Sequence, residues 1–302
     1  MTVRAFITGG GGFVGTHLAA HLEANGDLVT RVDREVDITD PEALVRALSD
    51  TAPEVIYHLA ALTHVGDSWQ NPTEFTRVNV LGTKHLVDVA HRVVPTACVV
   101  FVSSAEVYGI AREQDLPVRE TYRTAPANPY SSSKLEAERF VLASHHATGQ
   151  RVVIVRPFNH VGPGQSAQFV VPALVSRLLD ARDEGRSEIR VGDLSTRRDF
   201  SDVRDVVRAY RLLSLYAKSG EVYNVASGHD TAIADIAHQL RDEIAPDVDL
   251  VVDDVLLRPV EVPVMRGSIE KIHAATGWEP EIDLSTSLAD VVEEFRSRRS
   301  KP

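Results

Sequence analysis

Three observations predict an α/β fold, a doubly wound parallel sheet with a smaller C-terminal lobe. Short β-branched runs alternate with longer amphipathic segments through the first half of the chain, the pattern of strands covered by helices on both faces. A glycine cluster directly follows the first of those runs and opens a helical segment. After Arg156 the alternation fades into loops rich in Pro and Gly, broken by helical stretches.

The strands are expected at Val3–Thr8, Leu28–Asp33, Val55–Leu59, Ala97–Ser103 and Val152–Arg156, with a return strand at Val222–Val225. A first helix is expected over Thr16–Ala24. A second, running from Pro129 to about His146, is signalled by Asn128, which can cap free backbone N–H groups, and by the preset φ of Pro129 in the first turn. Further helical stretches are Val171–Ala181 and Val203–Ala217. The basic tail Arg296–Lys301 suits a solvated helix C-terminus.

Composition narrows the function classes. A chain of 302 residues with 43% hydrophobic and 25% charged residues has the globular balance and no room for a long disordered segment. Its net charge of −11 argues against a nucleic-acid or anionic-membrane partner, although Arg197 and Arg198 could form a local phosphate pocket. Cys98 is the only cysteine, so neither an intrachain disulfide nor a cysteine-ligated metal site can form, and no metal is expected. A strand follows Met1 almost at once, without a basic-then-apolar leader or a long apolar stretch, so a cytoplasmic location is expected.

The segment Thr8-Gly9-Gly10-Gly11-Gly12-Phe13-Val14-Gly15 carries a dinucleotide signal. Gly9 permits a tight turn, Gly12 lets the backbone approach a pyrophosphate, and Gly15 lets helix and strand pack closely, with phosphate charge at the helix N-terminus. Asp33 ends the next strand, where an acid accepts hydrogen bonds from the adenosine ribose and repels a 2′-phosphate. NAD is therefore favoured over NADP, with neighbouring Arg34 leaving NADP possible. Residues 1–160 and the return strand are expected to form this Rossmann-type domain, and 161–302 mainly a substrate-binding lobe.

Tyr130 and Lys134 lie four residues apart on one face of the Pro129 helix. A free phenol with a pKa of about 10 needs about 4 kcal/mol of preferential anion stabilisation to ionise near neutrality. A fixed Lys134 charge, with the cofactor's positive nicotinamide, is expected to supply much of it. Ser103-Ser104-Ala105-Glu106 lies just beyond the fourth strand, at the sheet edge where open α/β folds hold ligands.

Together with Asp37-Ile38, His58-Leu59-Ala60-Ala61, Asn79-Val80-Leu81-Gly82-Thr83 and Arg156-Pro157-Phe158-Asn159-His160-Val161-Gly162-Pro163-Gly164-Gln165, these motifs resemble the nucleotide-sugar members of the extended short-chain dehydrogenase/reductase family over nearly the whole chain. Within it, Phe158–Gln165 and Arg197–Asp205 look most like GDP-4-keto-6-deoxy-mannose reductases and the neighbouring GDP-mannose 4,6-dehydratases. The resemblance implies that Ser104, Tyr130 and Lys134 are catalytic, with Glu106 beside them. It implies that Asp37, Ile38, Leu59, Ala60, Ala61, Asn79, Pro157 and His160 line the cofactor cleft with Phe13 and Val14, and that Tyr130 and Lys134 also meet the cofactor, Lys134 at the nicotinamide ribose. It places Ser104, Glu106, Asn159, Gln168, Val170, Arg198 and Arg258 against a sugar nucleotide, GDP-linked by the same resemblance, and implies a homodimer built on helices around 75–92 and 130–146.

The implied reaction is hydride transfer to a C4 ketone, with Tyr130 giving the proton. Arg198 and Arg258 would grip the diphosphate; the plainer reading of each is a surface ion pair. The dehydratases carry a polar or acidic residue where Ala105 stands, so Ala105 argues against that activity while Glu106 keeps it open. A 4-epimerase with retained NAD uses the same Ser, Tyr and Lys. A non-catalytic nucleotide sensor is the remaining reading, against which the intact Tyr130–Lys134 pair argues.

Overall fold

The computed structural model describes residues 2–257, 260 and 262–300. In chain order the strands are β1 (Arg4–Thr8), β2 (Leu28–Val32), β3 (Val55–His58), β4 (Cys98–Val102), β5 (Val152–Pro157), β6 (Asn159–Val161), β7 (Glu188–Val191), β8 (Arg197–Asp202), β9 (Glu221–Val225), β10 (Asp230–Ala232), β11 (Asp249–Val252) and β12 (Val264–Met265). The helices are α1 (Phe13–Ala24), α2 (Pro41–Thr51), α3 (Val65–Gln70), α4 (Pro72–Phe75), α5 (Thr83–Val93), α6 (Pro129–Thr148), α7 (Val170–Glu184), α8 (Val203–Tyr216), α9 (Ile233–Ile244), α10 (Glu270–Thr276) and α11 (Leu284–Arg299), with a π-helical turn at Thr76–Gly82 between α4 and α5.

The main sheet has six parallel strands in the order β2-β1-β3-β4-β5-β9. The order reverses between β1 and β3, the switch point at which such sheets open a crevice beyond their strand ends. β1, β3, β4 and β5 read as continuous apolar runs because both faces are covered. One face buries Ile7, Tyr57, Val100 and Val155 under α1 and α8. The other buries Phe6, Ile56, Phe101 and Ile154 under α2, α5 and α6. Each such side chain contributes about 1.5–3 kcal/mol when fully buried.

A second sheet, β10-β8-β12 with β6 on β8, stands beyond the ends of the main strands, and β7 pairs with β11. Strands β6, β7, β8 and β11 pack over α7, α9 and α11 in a separate apolar cluster. Nothing in the residue pattern marks Arg197–Asp202 as a strand, since four of its six residues are charged. Five of the six are nevertheless buried. The Asp199 carboxylate accepts hydrogen bonds from Ser227 N and Oγ, Gly228 N and Gly267 N at 2.6–3.1 Å, and those distant donors make its burial tolerable. Burial still pushes its carboxyl up to about 6.

Candidate active site

The expected start of α6 is reproduced in detail. Asn128 Oδ1 accepts from Ser131 N at 2.8 Å, and Ser131 Oγ accepts from Asn128 N at 3.2 Å, a reciprocal capping box. Pro129 holds the first turn and Gly149 ends the helix at φ 75°. This local chemistry fixes where Tyr130 and Lys134 emerge.

The glycine turn follows β1. Gly9 has φ 69°, and a Cβ there would lie 2.8 Å from Ala60 N. A Cβ on Gly15 would overlap the Gly9 carbonyl and lie 2.8 Å from Gly10 Cα. Helix α1 begins at Phe13, three residues earlier than the sequence suggested, so Phe13, Val14 and Gly15 form its first turn. No side chain caps that turn and no acid lies in it, which leaves the N–H groups and dipole suited to a pyrophosphate. The residues present fit a dinucleotide. Gly15→Ala is expected to cost about 1–3 kcal/mol of stability by overpacking and to remove dinucleotide binding, measured by denaturant titration and calorimetry; undiminished affinity would contradict the role given to this turn.

Beside the turn, a cleft of about 350 Å³ is lined by Gly11, Thr16, Arg31, Val32, Asp33 and Glu35. Asp33 is exposed at the end of β2. Its backbone N–H donates to Glu35 Oε1 at 2.8 Å, and backbone N–H groups draw the Glu35 carboxyl below its ordinary range. Glu35 is a second acid at this end of the cleft that sequence reasoning passed over, and its place two residues after Asp33 was the available signal.

Tyr130, Ser104 and Lys134 come together at the carboxyl ends of β4 and β5. Ser104 Oγ accepts from Glu106 N at 3.2 Å and bonds the Tyr130 hydroxyl. The Tyr130 ring meets Phe75 edge-on at 6.4 Å. Burial, aided by the Glu106 charge, pushes the phenol up to about 12 against the Ser104 hydrogen bond. Lys134 is not among the groups that move this phenol in the cofactor-free chain. Lys134 itself is pushed down to about 7 by burial, with Glu138 drawing it back up. Its Nζ lies 4.7 Å above the Phe101 ring.

Below this group runs a buried hydrogen-bond chain. Thr83 Oγ1 donates to Asn79 O at 2.6 Å, so it accepts from His58 Nε2–H at 2.9 Å. His58 Nδ1 then accepts from Thr8 Oγ1 at 2.7 Å, and Thr8 Oγ1 accepts from Ala60 N at 3.3 Å. That order fixes the imidazole tautomer, and burial with the Lys134 charge holds the ring neutral, down to about 3. Asn79 Nδ2 donates to Leu62 O and Ser133 Oγ, both at 2.9 Å. The π-helical turn carrying Asn79 is thereby tied to β1, β3 and α6. His58 and Thr83 stood inside the quoted motifs, yet nothing in the sequence paired them.

Other expected residues fall as follows. Leu59, Ala60 and Ala61 are half-buried after β3, and Ile38 is buried against Gly82. Asp37 is exposed and accepts from Thr39 N and Oγ1 at 2.8 Å. Pro157 is buried at the end of β5. His160 stacks parallel on Phe13 with centroids 6.0 Å apart, joining two residues expected at the cofactor. Asn159, Gln168 and Val170 are exposed on the lobe side of the crevice.

Arg198 is buried in β8 rather than at the surface, with Nη1 donating to Arg197 O at 3.0 Å and to Val262 O at 2.6 Å. Arg197 is paired with Asp230, which also holds Arg266 at 2.9 Å, so the loose basic pocket pictured for Arg197 and Arg198 is already neutralised in part. Arg258 lies outside the described residues. Among the described residues no cluster of metal-ligating side chains occurs, and no helix is long and apolar enough to cross a membrane.

Known proteins match this arrangement across its length. The family model for GDP-mannose 4,6 dehydratase matches residues 34–291. The chain is 36% identical over 302 residues to the GDP-6-deoxy-D-mannose reductase of Pseudomonas aeruginosa, with 99% of each covered. It is 30% identical over 302 residues to the GDP-6-deoxy-D-talose 4-dehydrogenase of Aggregatibacter actinomycetemcomitans, with 98% of each covered. The solved structure of RMD from Pseudomonas aeruginosa complexed with NADPH matches with a TM-score of 0.88 at 35% identity, covering 98% of this chain and 100% of that one.

Fold and site thus define an extended short-chain dehydrogenase/reductase of the nucleotide-sugar class, NAD(P)-dependent by kind. Within that class the chain belongs to the GDP-mannose 4,6-dehydratase-like family.

Proposed function

We propose that the protein reduces the C4 ketone of a GDP-4-keto-6-deoxy-hexose. The observation that carries this reading is the similarity of the whole chain, 36% identical over 302 residues, to a GDP-6-deoxy-D-mannose reductase, with the Tyr130 phenol beside Ser104 at the site. A reductase needs a proton donor at this point, whereas epimerisation or dehydration begins with a base. Ala105 supports it too, since its side chain packs among Tyr108, Val118 and Phe158 and brings no polar group to the site.

A bound nicotinamide cofactor supplies the hydride. Ser104 orients the ketone oxygen, and Tyr130 donates its proton as charge develops there. Lys134 holds positive charge against the ribose and the developing oxyanion. Glu106, whose Oε2 accepts from Asn128 Nδ2 at 3.2 Å, borders the sugar with Asn159, while Gln168 and Val170 border the base. Arg198 and Arg258 meet the diphosphate in this reading. Residues 1–160 with the return strand form the dinucleotide domain and 161–302 mainly the substrate lobe, in a cytoplasmic homodimer; exposed Leu81 and Trp69, near the helices expected to pair, support the dimer.

The test is oxidation of NADH or NADPH on addition of GDP-4-keto-6-deoxy-mannose, with UDP- and dTDP-linked 4-keto sugars as comparison. Retained NAD and interconversion of two sugar nucleotides without net cofactor consumption would instead establish an epimerase. Asp33 and Glu35 support NADH over NADPH, because both acids would repel a 2′-phosphate. Asp33→Asn is expected to shift the ratio of kcat/KM for NADPH over NADH upward by about tenfold, the equivalent of about 1.4 kcal/mol; an unchanged ratio would remove Asp33 from cofactor choice.

A further inference from the structure

Lys134 is a buried cation, 4% exposed, and among the described residues it makes no hydrogen bond or ion pair; its contact is the Phe101 ring. Burying an ammonium without compensation is costly. The natural partner is close. Glu138 lies four residues further along the same face of α6, and an acid and a lysine at that spacing ordinarily pair.

Here the acid is taken. Arg156, from β5, grips both carboxylate oxygens of Glu138, Nε to Oε1 at 2.9 Å and Nη2 to Oε2 at 2.7 Å. Arg156 is in turn fixed over the Tyr108 ring at 4.8 Å, and the Tyr108 hydroxyl donates to Asn224 Oδ1 at 2.7 Å. Glu138 and Arg156 side chains are 3% and 7% exposed, so water does not loosen the clamp.

We propose that Glu138 and Arg156 are positioning residues for Lys134. Glu138 supplies the negative field that keeps the ammonium charged, and Arg156 prevents that carboxylate from swinging onto Lys134, leaving Nζ free for the cleft. The other titratable groups around Lys134 do not supply this charge. His58, from β3, is neutral; Tyr130 is protonated; Glu106 acts on Tyr130, and Arg156 is itself positive. The inference rests on the assignment of Tyr130 and Lys134 to the reaction.

The two partners give opposite signatures. Glu138→Gln removes the field, so the midpoint of Lys134 and the alkaline limb of kcat/KM move to lower pH by about one unit, while KM for the sugar nucleotide changes little. Arg156→Met frees Glu138 to pair with Lys134, so the midpoint rises while kcat falls. Because an unpaired buried acid can prevent folding, Glu138→Leu/Arg156→Met is the companion variant, since an apolar pair of similar volume usually preserves stability. It is expected to fold and to show the lower midpoint.

The midpoint is read without cofactor from the pH dependence of the Cε resonances of isotope-labelled lysine; the chain has only five lysines. Tyr130→Phe is the parallel control. If Tyr130→Phe turns over normally, the site assignment fails and this inference with it. If Tyr130→Phe is inactive but Glu138→Gln and the double variant keep the wild-type midpoint and pH profile, Glu138 and Arg156 are structural only and this inference alone is overturned.

Discussion

Tyr130→Phe lowers turnover by roughly 10²–10⁴-fold, the range lost with a positioned general acid, and leaves dinucleotide affinity unchanged. The ring keeps its edge contact with Phe75 and its place in the first turn of α6, so only the proton and the hydrogen bond to Ser104 are removed. The glycine turn and the Asp33 cleft, which carry the affinity, lie on β1, α1 and β2. Equal losses in rate and affinity would mean a folding defect rather than the loss of an acid. The phenol's elevated pKa, up to about 12, adds a further expectation: reductive turnover declines on the alkaline side through Lys134 before it declines through Tyr130.

Lys134→Met is expected to abolish turnover and yet stabilise the cofactor-free protein. The folded midpoint of Lys134 lies at about 7, against 10.5 for the ordinary side chain. Between those values the unfolded chain holds a proton that the folded chain has released, so wild-type stability rises with pH across that window. Below it both states are protonated and the cost of the buried ammonium is borne in full. The gain in Tm from Lys134→Met is therefore largest below pH 7 and shrinks toward pH 10.5. Thermal unfolding at several pH values measures it. A loss of Tm that is constant with pH would show that the methylene chain, not the charge, dominates at this position. Such a trade of stability for activity is common where a site holds an unfavourable group in place.

The parts legible in the sequence were those whose cause is local. Asn128 and Pro129 announce α6 because capping and a fixed φ act within one turn. Gly9 and Gly15 announce the dinucleotide turn because no side chain fits where Ala60 and Gly10 approach. The apolar strands β1, β3, β4 and β5 were plain because two layers of helix cover them. What escaped depends on partners remote in sequence. β8 reads as a polar loop until Ser227, Gly228 and Gly267 bring their donors to Asp199. The tie from His58 to Thr8 and Thr83 spans three separate motifs. Desolvation, which raises the Tyr130 phenol and lowers Lys134 in the cofactor-free chain, is likewise invisible in the spacing of the two residues.

Glu138 marks the boundary between the two kinds of information. Its spacing from Lys134 is visible in the sequence and predicts a salt bridge. The structure instead gives the carboxylate to Arg156, 18 residues away, and that substitution of partner changes what Lys134 can do.

The central claim is that this site delivers a hydride and a proton to a C4 ketone on a GDP-linked sugar. Its most direct test is turnover of GDP-4-keto-6-deoxy-mannose with nicotinamide cofactor deuterated at the transferable position, followed by NMR of the product. Stoichiometric deuterium at C4 of a GDP-6-deoxy-hexose, absent with Tyr130→Phe, is the predicted result. Turnover that leaves the label on the cofactor, or a product carrying no deuterium at C4, would contradict the reductase assignment.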